Sequence, residues 1–295
     1  MFNKQPKRIL TLVKGLEYIN KSPKMFHSLG FTKSSYTLMS IFIMVILLIL
    51  IVWWPLAEEY FSYFDPNYPV IYQLDWLLIG IFLVMSLLIM AGADIKKDIW
   101  IVLVGLGGGL LIEAWGTQTN IWTYYTNERP PLWIIPAWPI ASLSIDRLVT
   151  ILSLISKGKH TRFFRLFYWI LFISFIFLMI FYVYPTFDKP LTWIAIIMTL
   201  FLIMTPGDHR TATLTFMAGV SLGYFLERWG TTRMCWSYCT MDTPPLFAVF
   251  AHGLAAVAFW RTKIYLIQWG HYITPRIFSS PPGNVENSKI VDNIR

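Results

Sequence analysis

The sequence predicts an all-α, polytopic membrane protein with eight transmembrane helices, arranged as two parallel repeats of four helices. The chain of 295 residues is 56% hydrophobic and only 14% charged, whereas soluble domains carry about a quarter charged residues. Eight apolar stretches are long enough, or nearly so, to cross ~30 Å of hydrocarbon. A 20-residue segment of unusual composition also occurs twice, 114 residues apart. These observations point to a duplicated membrane protein.

The eight apolar stretches are interpreted as helices because a helix satisfies its own backbone hydrogen bonds within lipid. Their apolar runs are continuous and do not alternate with polar residues, which excludes a transmembrane β-barrel. The predicted spans are 38–55, 76–93, 99–115, 132–150, 166–184, 191–206, 212–229 and 246–262. They form a first repeat at residues 37–156, a cytoplasmic hinge at 157–165 and a second repeat at 166–262.

The loops between the spans alternate between basic and acidic or neutral composition. Lysine and arginine concentrate in the N-terminal segment 1–36 and in the loops after the second, fourth and sixth spans. Basic loops remain in the cytoplasm, so we expect a multi-pass protein of the cell membrane with both termini inside. Residues 7–20 and 261–272 are predicted to be interfacial helices. The C-terminal segment 263–295 is predicted to end in a disordered tail.

The repeated segment reads EAWGTQTNIWTYYTNERPPL from Glu113 and ERWGTTRMCWSYCTMDTPPL from Glu227. Ten of its 20 positions are identical, and most of these are polar or aromatic, which indicates a duplication. Because each repeat has an even number of spans, both repeats enter the membrane in the same direction. A pseudo-two-fold axis along the membrane normal then relates them. We therefore expect both W-x-Y-x-T loops on the outer face.

Glu113 and Glu227 are the candidate catalytic residues. Glu113 follows Asp98, at the cytoplasmic end of the span, by 15 residues, or about 22 Å of helix, which predicts a carboxyl group within the outer half of the hydrocarbon. An ionisable group at that depth is a functional candidate, and a buried carboxyl group retains the proton that a general acid needs. The structural alternative is a carboxyl group at the water boundary, or one bonded to a neighbouring helix or to its own re-entrant loop.

An aromatic loop follows each glutamate. The fixed register of its side chains favours a loop that folds back over the carboxyl group and lines a cavity suited to an apolar chain or to a cation formed along it. An interfacial aromatic belt, followed by a helix that starts at Pro-Pro, is the alternative. The predicted substrate-binding residues are Trp115, Trp122, Tyr124, Trp138, Trp229, Trp236, Tyr238 and His252.

Charged residues interrupt two of the apolar spans. Asp146, Arg147 and Arg261 are candidates for supporting charge, and Arg147 and Arg261 are equivalent in the repeat. Arginines that extend to the cytoplasmic interface are the alternative. The net charge of +8 is explained by the basic loops, and no recognition motif indicates nucleic-acid binding.

Cysteine and metal-ligand patterns indicate little. Cys235 and Cys239 align with Ile121 and Tyr125 of the first copy, so the duplicated chemistry does not depend on them. Their role stays open between a disulfide, half of a metal site and two ordinary thiols. No cluster of His, Cys and Asp predicts a metal, and we expect no cofactor.

One motif resembles a known family. In order, it consists of Glu113, Gly116, Thr119, Tyr124, Pro131, Leu132, Trp133, Pro136 and Trp138. This string resembles the membrane carotenoid-biosynthesis family that includes bisanhydrobacterioruberin hydratase, although Asn120–Ile121–Trp122 and Glu128–Arg129–Pro130 depart from that family's pattern. The resemblance covers about 30 residues. It implies a polytopic enzyme that adds water to, or rearranges, the end of a long isoprenoid chain, and Glu113 is the only acid that it carries over.

The leading functional expectation is a membrane enzyme of isoprenoid or similar lipids, either a hydratase or a cyclase. One or both glutamates would protonate a double bond, and the aromatic residues would hold the chain beside them. Membrane lipids and an apolar substrate are then the expected partners, while the oligomeric state stays open. The alternative is a non-catalytic lipid or solute transporter, or a membrane scaffold subunit.

Overall fold

The computed structural model describes residues 31–156 and 161–278. Within these residues the regular secondary structure is helical apart from one short two-stranded ribbon. The α-helices are α1 (Lys33–Val52), α2 (Trp54–Ser62), α3 (Trp76–Met90), α4 (Ile95–Gln118), α5 (Ala137–Ile155), α6 (Thr161–Val183), α7 (Pro190–Ile203), α8 (His209–Thr232) and α9 (Leu246–Phe278). Short 3₁₀ turns lie at Val70–Tyr72 and Tyr184–Thr186, and the strands are β1 (Trp122–Tyr124) and β2 (Trp236–Tyr238). The predicted interfacial segment 7–20 and the tail from residue 279 lie outside the described residues.

The helices of the described residues indicate a membrane protein. Four of them are long and apolar enough to cross a bilayer, namely α1, α4, α5, and α6 with its following 3₁₀ turn. Helices α3 and α7 are also apolar but have only 15 and 14 residues. The outward face of α6 carries Phe177 and Phe181, which are 71% and 82% exposed, as expected of a lipid-facing surface. A helix occupies each of the eight apolar stretches, while eight crossings remain a prediction.

Two predicted boundaries differ from the structure in the first half of the chain and at the hinge. The first span, predicted at 38–55, ends at Val52, and Pro55 lies in the first turn of a separate helix, α2. Proline suits that position because its missing N–H would have no partner there. Residues 161–165, predicted as part of the hinge, already belong to α6, since none of them is a helix breaker.

The C-terminal boundary also differs. The predicted last span stops at 262 and a separate interfacial helix follows, but α9 continues without a break to Phe278. Between Trp260 and Trp269 there is no glycine or proline to end the helix. The whole of α9 has 33 residues, about 50 Å at 1.5 Å per residue.

Helices α4, α5, α8 and α9 form the central bundle that positions the site. Helix α4 packs on α5 and α8 packs on α9, while α5 contacts α8 and α4 contacts α9. Two equivalent glycines allow the close approach within each pair. A Cβ atom at Gly105 would lie 2.9 Å from the Cα atom of Pro139, and one at Gly219 would lie 2.8 Å from the carbonyl oxygen of His252.

The ribbon joins the two repeated segments. Strands β1 and β2 pair antiparallel in the register Trp122↔Tyr238, Thr123↔Ser237 and Tyr124↔Trp236. Its central pair, Thr123 and Ser237, brings the two hydroxyl oxygens within 3.3 Å. These two residues are equivalent in the repeat, so each strand faces its own counterpart across the ribbon. No strand was predicted here from the sequence, because three residues are too few to show a periodicity.

Candidate functional site

The carboxyl group of Glu113 is buried near the C-terminal end of α4. Its side chain accepts three hydrogen bonds, and the residue is only 3% exposed. The indole Nε1 of Trp122 donates to Oε2 at 3.0 Å, and the hydroxyl of Tyr124 donates to Oε1 at 2.9 Å. The indole Nε1 of Trp138, on α5, also donates to Oε1, at 3.1 Å. The loop after α4 therefore folds back over its own glutamate.

The carboxyl group of Glu227, on α8, has an equivalent set of partners and is 4% exposed. The Nε1 atom of Trp236 donates to Oε2 at 2.9 Å, and the hydroxyl of Tyr238 donates to Oε1 at 2.9 Å. The Nε2 atom of His252 lies 2.8 Å from Oε1. Each of these residues follows its counterpart around Glu113 by 114 positions, so the duplicated sequence forms two equivalent carboxyl sites.

The backbone turns back after each helix in the same way. Asn120 and Met234, the equivalent residues after α4 and α8, have φ angles of 59° and 56°, in the left-handed region that reverses a helix end. The next amide in each copy bonds the helix: that of Ile121 donates to the carbonyl of Gly116 at 3.0 Å, and that of Cys235 to the carbonyl of Gly230 at 2.9 Å. This reversal directs the aromatic side chains onto the glutamate.

Two glycines allow the indole rings to lie flat against the helices. A Cβ atom at Gly116 would be 1.8 Å from the Trp122 ring, and one at Gly230 would be 2.0 Å from the Trp236 ring. No side chain other than hydrogen fits at either position. The repeated glycine therefore has a physical cause. Gly116 and Gly230 make room for Trp122 and Trp236, which donate hydrogen bonds to Glu113 and Glu227.

A second glycine in each copy makes room for the third hydrogen-bonding residue. A Cβ atom at Gly109 would be 2.3 Å from the Trp138 ring, and one at Gly223 would be 2.5 Å from the Cβ atom of His252. This role was not predicted from the sequence, although the equivalence of the two glycines in the repeat was a usable signal.

Aromatic contacts join the two carboxyl sites into one. The rings of Trp138 and His252 stack at 5.9 Å with an interplanar angle of 18°. Trp122 contacts Tyr238 at 6.0 Å between ring centroids, and Tyr124 contacts Trp236 at 5.8 Å. Every aromatic residue that bonds one carboxyl group thus touches one that bonds the other.

A cavity of about 1270 Å³ lies beside both carboxyl groups. Glu113, Glu227 and the six residues that bond them all line it, and most of its remaining lining is apolar. Leu111 of α4 and Ile194 of α7 line it as well, although they are 56% and 54% exposed on the outside of the protein. The cavity therefore reaches the protein surface between α4 and α7.

The opposite end of the cavity carries a network of four charged residues. The Nη2 atom of Arg147 lies 2.6 Å from Oδ2 of Asp98, and both side chains are less than 10% exposed. The Nζ atom of Lys263 lies 2.8 Å from Oδ1 of Asp146, which links α9 to α5. Arg147 is thus a buried ion-pair partner and does not extend to water. Asp98 was not predicted as its partner, because it precedes its predicted span and lies 49 residues from Arg147 in the sequence.

Besides Asp146 and Arg147, three more of the predicted site residues do not bond either carboxyl group. Trp229 faces away from the cavity, where its Nε1 donates to Asp75 at 2.9 Å. Arg261, the counterpart of Arg147, instead lies over the ring of Tyr265, 4.6 Å from its centroid. Trp115 lines the cavity, but its Nε1 donates to Thr192 at 3.3 Å and not to a carboxyl group.

The two cysteines differ in exposure, and both are free. Cys235 is buried, and burial raises the pKa of its thiol to about 12, whereas Cys239 is exposed. Within the described ranges, no group of three or more His, Cys, Asp and Glu residues has the arrangement of a metal site.

Comparison with protein-family models, curated proteins and solved structures finds no match for this chain.

Proposed function

We propose that the protein is an eight-span membrane protein built from two parallel four-helix repeats. Two observations support this arrangement: the carboxyl groups bond equivalent residues in both copies, and the ribbon pairs each strand with its counterpart. An antiparallel ribbon of that register fits a pseudo-two-fold axis along the membrane normal. The basic loops favour cytoplasmic termini, and the ribbon then lies towards the outer face.

We further propose that the protein is an enzyme that acts on an isoprenoid or similar unsaturated lipid chain. The observation that carries this proposal is the pair of buried carboxyl groups beside an apolar cavity that reaches the surface between α4 and α7, where a chain from the surrounding lipid could enter. A buried ionisable group in a membrane helix is expensive to maintain. A cavity lined by apolar residues binds an apolar ligand, and a few convergent polar groups act on it.

The proposed chemistry starts with transfer of a proton from one glutamate carboxyl group to a carbon of the double bond. The π electrons form the new C–H bond, and the neighbouring carbon becomes cationic. In hydration, a water molecule attacks that carbon and returns a proton to the carboxylate. In cyclisation, a second double bond attacks, and a proton leaves an adjacent carbon for the carboxylate. Both courses are balanced without an oxidant or a metal.

The aromatic residues would stabilise the cation formed in this reaction. Trp122, Tyr124, Trp138, Trp236 and Tyr238 all line the cavity beside the carboxyl groups. The π faces of such rings attract a cation by about 0.5–2 kcal/mol each, with the larger values away from water. Their N–H and O–H groups meanwhile fix the position of the carboxyl oxygens.

A lipid carrier is the second candidate. It is favoured by the extent of the cavity, which reaches from the carboxyl pair to the charged network of Asp98, Asp146, Arg147 and Lys263. A carrier with a polar site between parallel repeats has the same general plan. A scaffold subunit has no need of such a cavity.

The test is the lipid composition of a host from which the gene is deleted, restored with wild-type protein or with variants. We expect the deletion to accumulate an unsaturated lipid and lose its hydrated or cyclised product. The double variant Glu113→Gln/Glu227→Gln should not restore the product, whereas Glu58→Gln, at an exposed glutamate, should restore it. Unchanged lipid species with an altered distribution between the leaflets would favour the carrier. If the double variant restores the wild-type lipid composition, neither the proposed enzyme nor the carrier depends on the two carboxyl groups, and both proposals are refuted.

A further inference from the structure

The two carboxyl sites differ in one hydrogen-bonding residue. The tryptophan and tyrosine donors are matched, with distances of 2.9–3.0 Å in both copies. At the third position the first copy has Trp138 and the second copy has His252, at 3.1 Å and 2.8 Å from the respective Oε1 atoms. The near-symmetry of the rest of the site makes this difference an informative one.

The two residues have different proton chemistry. The indole N–H of Trp138 is only a donor, so it can hold Glu113 in place but cannot take up or release a proton. The imidazole of His252 has two ring nitrogens, one of which can accept a proton while the other donates. Glu113 is therefore bonded only by N–H and O–H donors, whereas Glu227 has one partner that can also take up a proton.

The second nitrogen of His252 has no hydrogen-bond partner among the described residues. Its Nε2 lies 2.8 Å from Oε1 of Glu227, and no described residue hydrogen-bonds Nδ1. The side chain is 22% exposed and lines the cavity. Nδ1 is thus the ring nitrogen left for proton exchange with water while Nε2 contacts the carboxyl group.

The surroundings of the pair offer few competing groups. The titratable side chains that face it are Glu113 from α4, Tyr124 from β1 and Tyr238 from β2. Helix α5 contributes the ring of Trp138, and α6 contributes apolar side chains to the lining. In the described part of the chain, His252 is the only basic side chain that contacts either carboxyl group.

We infer that protons enter and leave the site through the Glu227–His252 pair, and that Glu113 is a fixed positioning group. This inference rests on the proposed function and identifies the half of the site that transfers the proton. In each turnover, Glu227 gives its proton to the double bond, and Nδ1 of neutral His252 takes the proton that the attacking water or the cyclised cation releases. The imidazolium then returns its Nε2 proton to the Glu227 carboxylate, and exchange with water moves the remaining proton from Nδ1 back to Nε2.

The first experiment needs no substrate. Infrared difference spectra would be recorded during a pH titration of the full chain in liposomes. We expect the carboxyl band of the site to disappear in Glu227→Gln and to persist in Glu113→Gln. In His252→Trp, the titration midpoint should move by at least about one pH unit, a tenfold change in proton affinity. Equal loss in both glutamine variants, no band from either glutamate, or an unmoved midpoint would overturn the inference.

The second experiment exchanges the two residues. The double variant Trp138→His/His252→Trp moves the imidazole to Glu113, and Gly109 and Gly223 leave room for a ring at both positions. We expect the infrared band to be removed by Glu113→Gln in this background and no longer by Glu227→Gln. A band that still depends on Glu227 would overturn the inference, provided that circular dichroism shows a folded protein.

The lipid assay separates this inference from the proposed function. We expect His252→Trp to lower product formation at least tenfold and the exchanged double variant to recover part of it. If deletion of the gene leaves the host lipids unchanged, the proposed function fails, whatever the infrared result. If the lipids change but His252→Trp forms the product at the wild-type rate, the inference alone fails.

Discussion

Replacement of Gly116 by alanine is expected to destabilise the protein, although alanine is the better helix former. The new Cβ atom would lie 1.8 Å from the Trp122 ring, so the indole must move and give up its 3.0 Å hydrogen bond to Glu113. The matched control is Gly107→Ala on the same helix, where the added Cβ atom meets no atom within 4 Å.

The expected magnitude follows from two destabilising effects and one stabilising effect. Overpacking costs about 1–3 kcal/mol, and leaving a buried acceptor without its donor costs about 1–3 kcal/mol. Alanine returns about 1 kcal/mol of helix propensity. The free energy of unfolding of Gly116→Ala should thus fall by about 1–5 kcal/mol, whereas that of Gly107→Ala should stay level or rise by up to about 1 kcal/mol.

The assay is denaturant or thermal unfolding in detergent micelles, followed by tryptophan fluorescence and circular dichroism. Gly230→Ala should behave like Gly116→Ala, because its Cβ atom would lie 2.0 Å from the Trp236 ring. If Gly116→Ala unfolds together with Gly107→Ala, the indole does not lie against the helix and the assignment of hydrogen bonds to Glu113 is wrong.

Two further predictions concern the cysteines and the buried ion pair. In intact cells, a membrane-impermeant maleimide should label Cys239 but not Cys235. Cys239 is exposed and should lie on the outer face, whereas Cys235 is buried, and burial raises the pKa of its thiol to about 12. Labelling of Cys239 only after lysis would reverse the proposed topology. Arg147→Ala should lower the free energy of unfolding by about 3–5 kcal/mol, since it leaves the carboxylate of Asp98 buried and unpaired. The control is Lys97→Ala, at a lysine whose side chain is 81% exposed, which should change the free energy of unfolding by less than about 1 kcal/mol. Equal effects of the two substitutions in chemical denaturation would contradict the account.

The core of the candidate site was predictable because it was duplicated. Glu113, Trp122 and Tyr124 recur with the same spacing in the second copy, and that fixed register predicts a loop folded over the carboxyl group. The structure brings the Trp122 indole nitrogen and the Tyr124 hydroxyl within 3.0 Å of the Glu113 carboxyl oxygens. A periodic pattern alone would not have distinguished this loop from an interfacial aromatic belt.

Other parts of the site depend on contacts that a single sequence does not show. Trp229 is repeated as faithfully as Trp122, yet it bonds Asp75 on another element and faces away from the cavity. Residues within one helical turn can point to opposite faces, so spacing along the chain does not decide the orientation. The ribbon and the Asp98–Arg147 pair join residues far apart in the sequence, and no local pattern encodes such pairings.

The element boundaries show the same limit. Hydropathy located all eight apolar stretches, but not the break before Pro55 or the extension of α9 to Phe278. A proline both ends one helix and starts another, and which of these applies depends on the packing around it. The C-terminal end of α9 likewise does not coincide with the end of its apolar stretch.

Incorporation of solvent deuterium into a lipid C–H bond tests the central claim most directly. Purified protein would be reconstituted in bicelles with lipid extract from the deletion host, incubated in D₂O and analysed by mass spectrometry. Proton transfer from a carboxyl group to a double bond predicts carbon-bound deuterium in the product of wild-type protein and none with Glu113→Gln/Glu227→Gln. A product that forms without carbon-bound deuterium, or the same deuterium content with both proteins, would contradict the account.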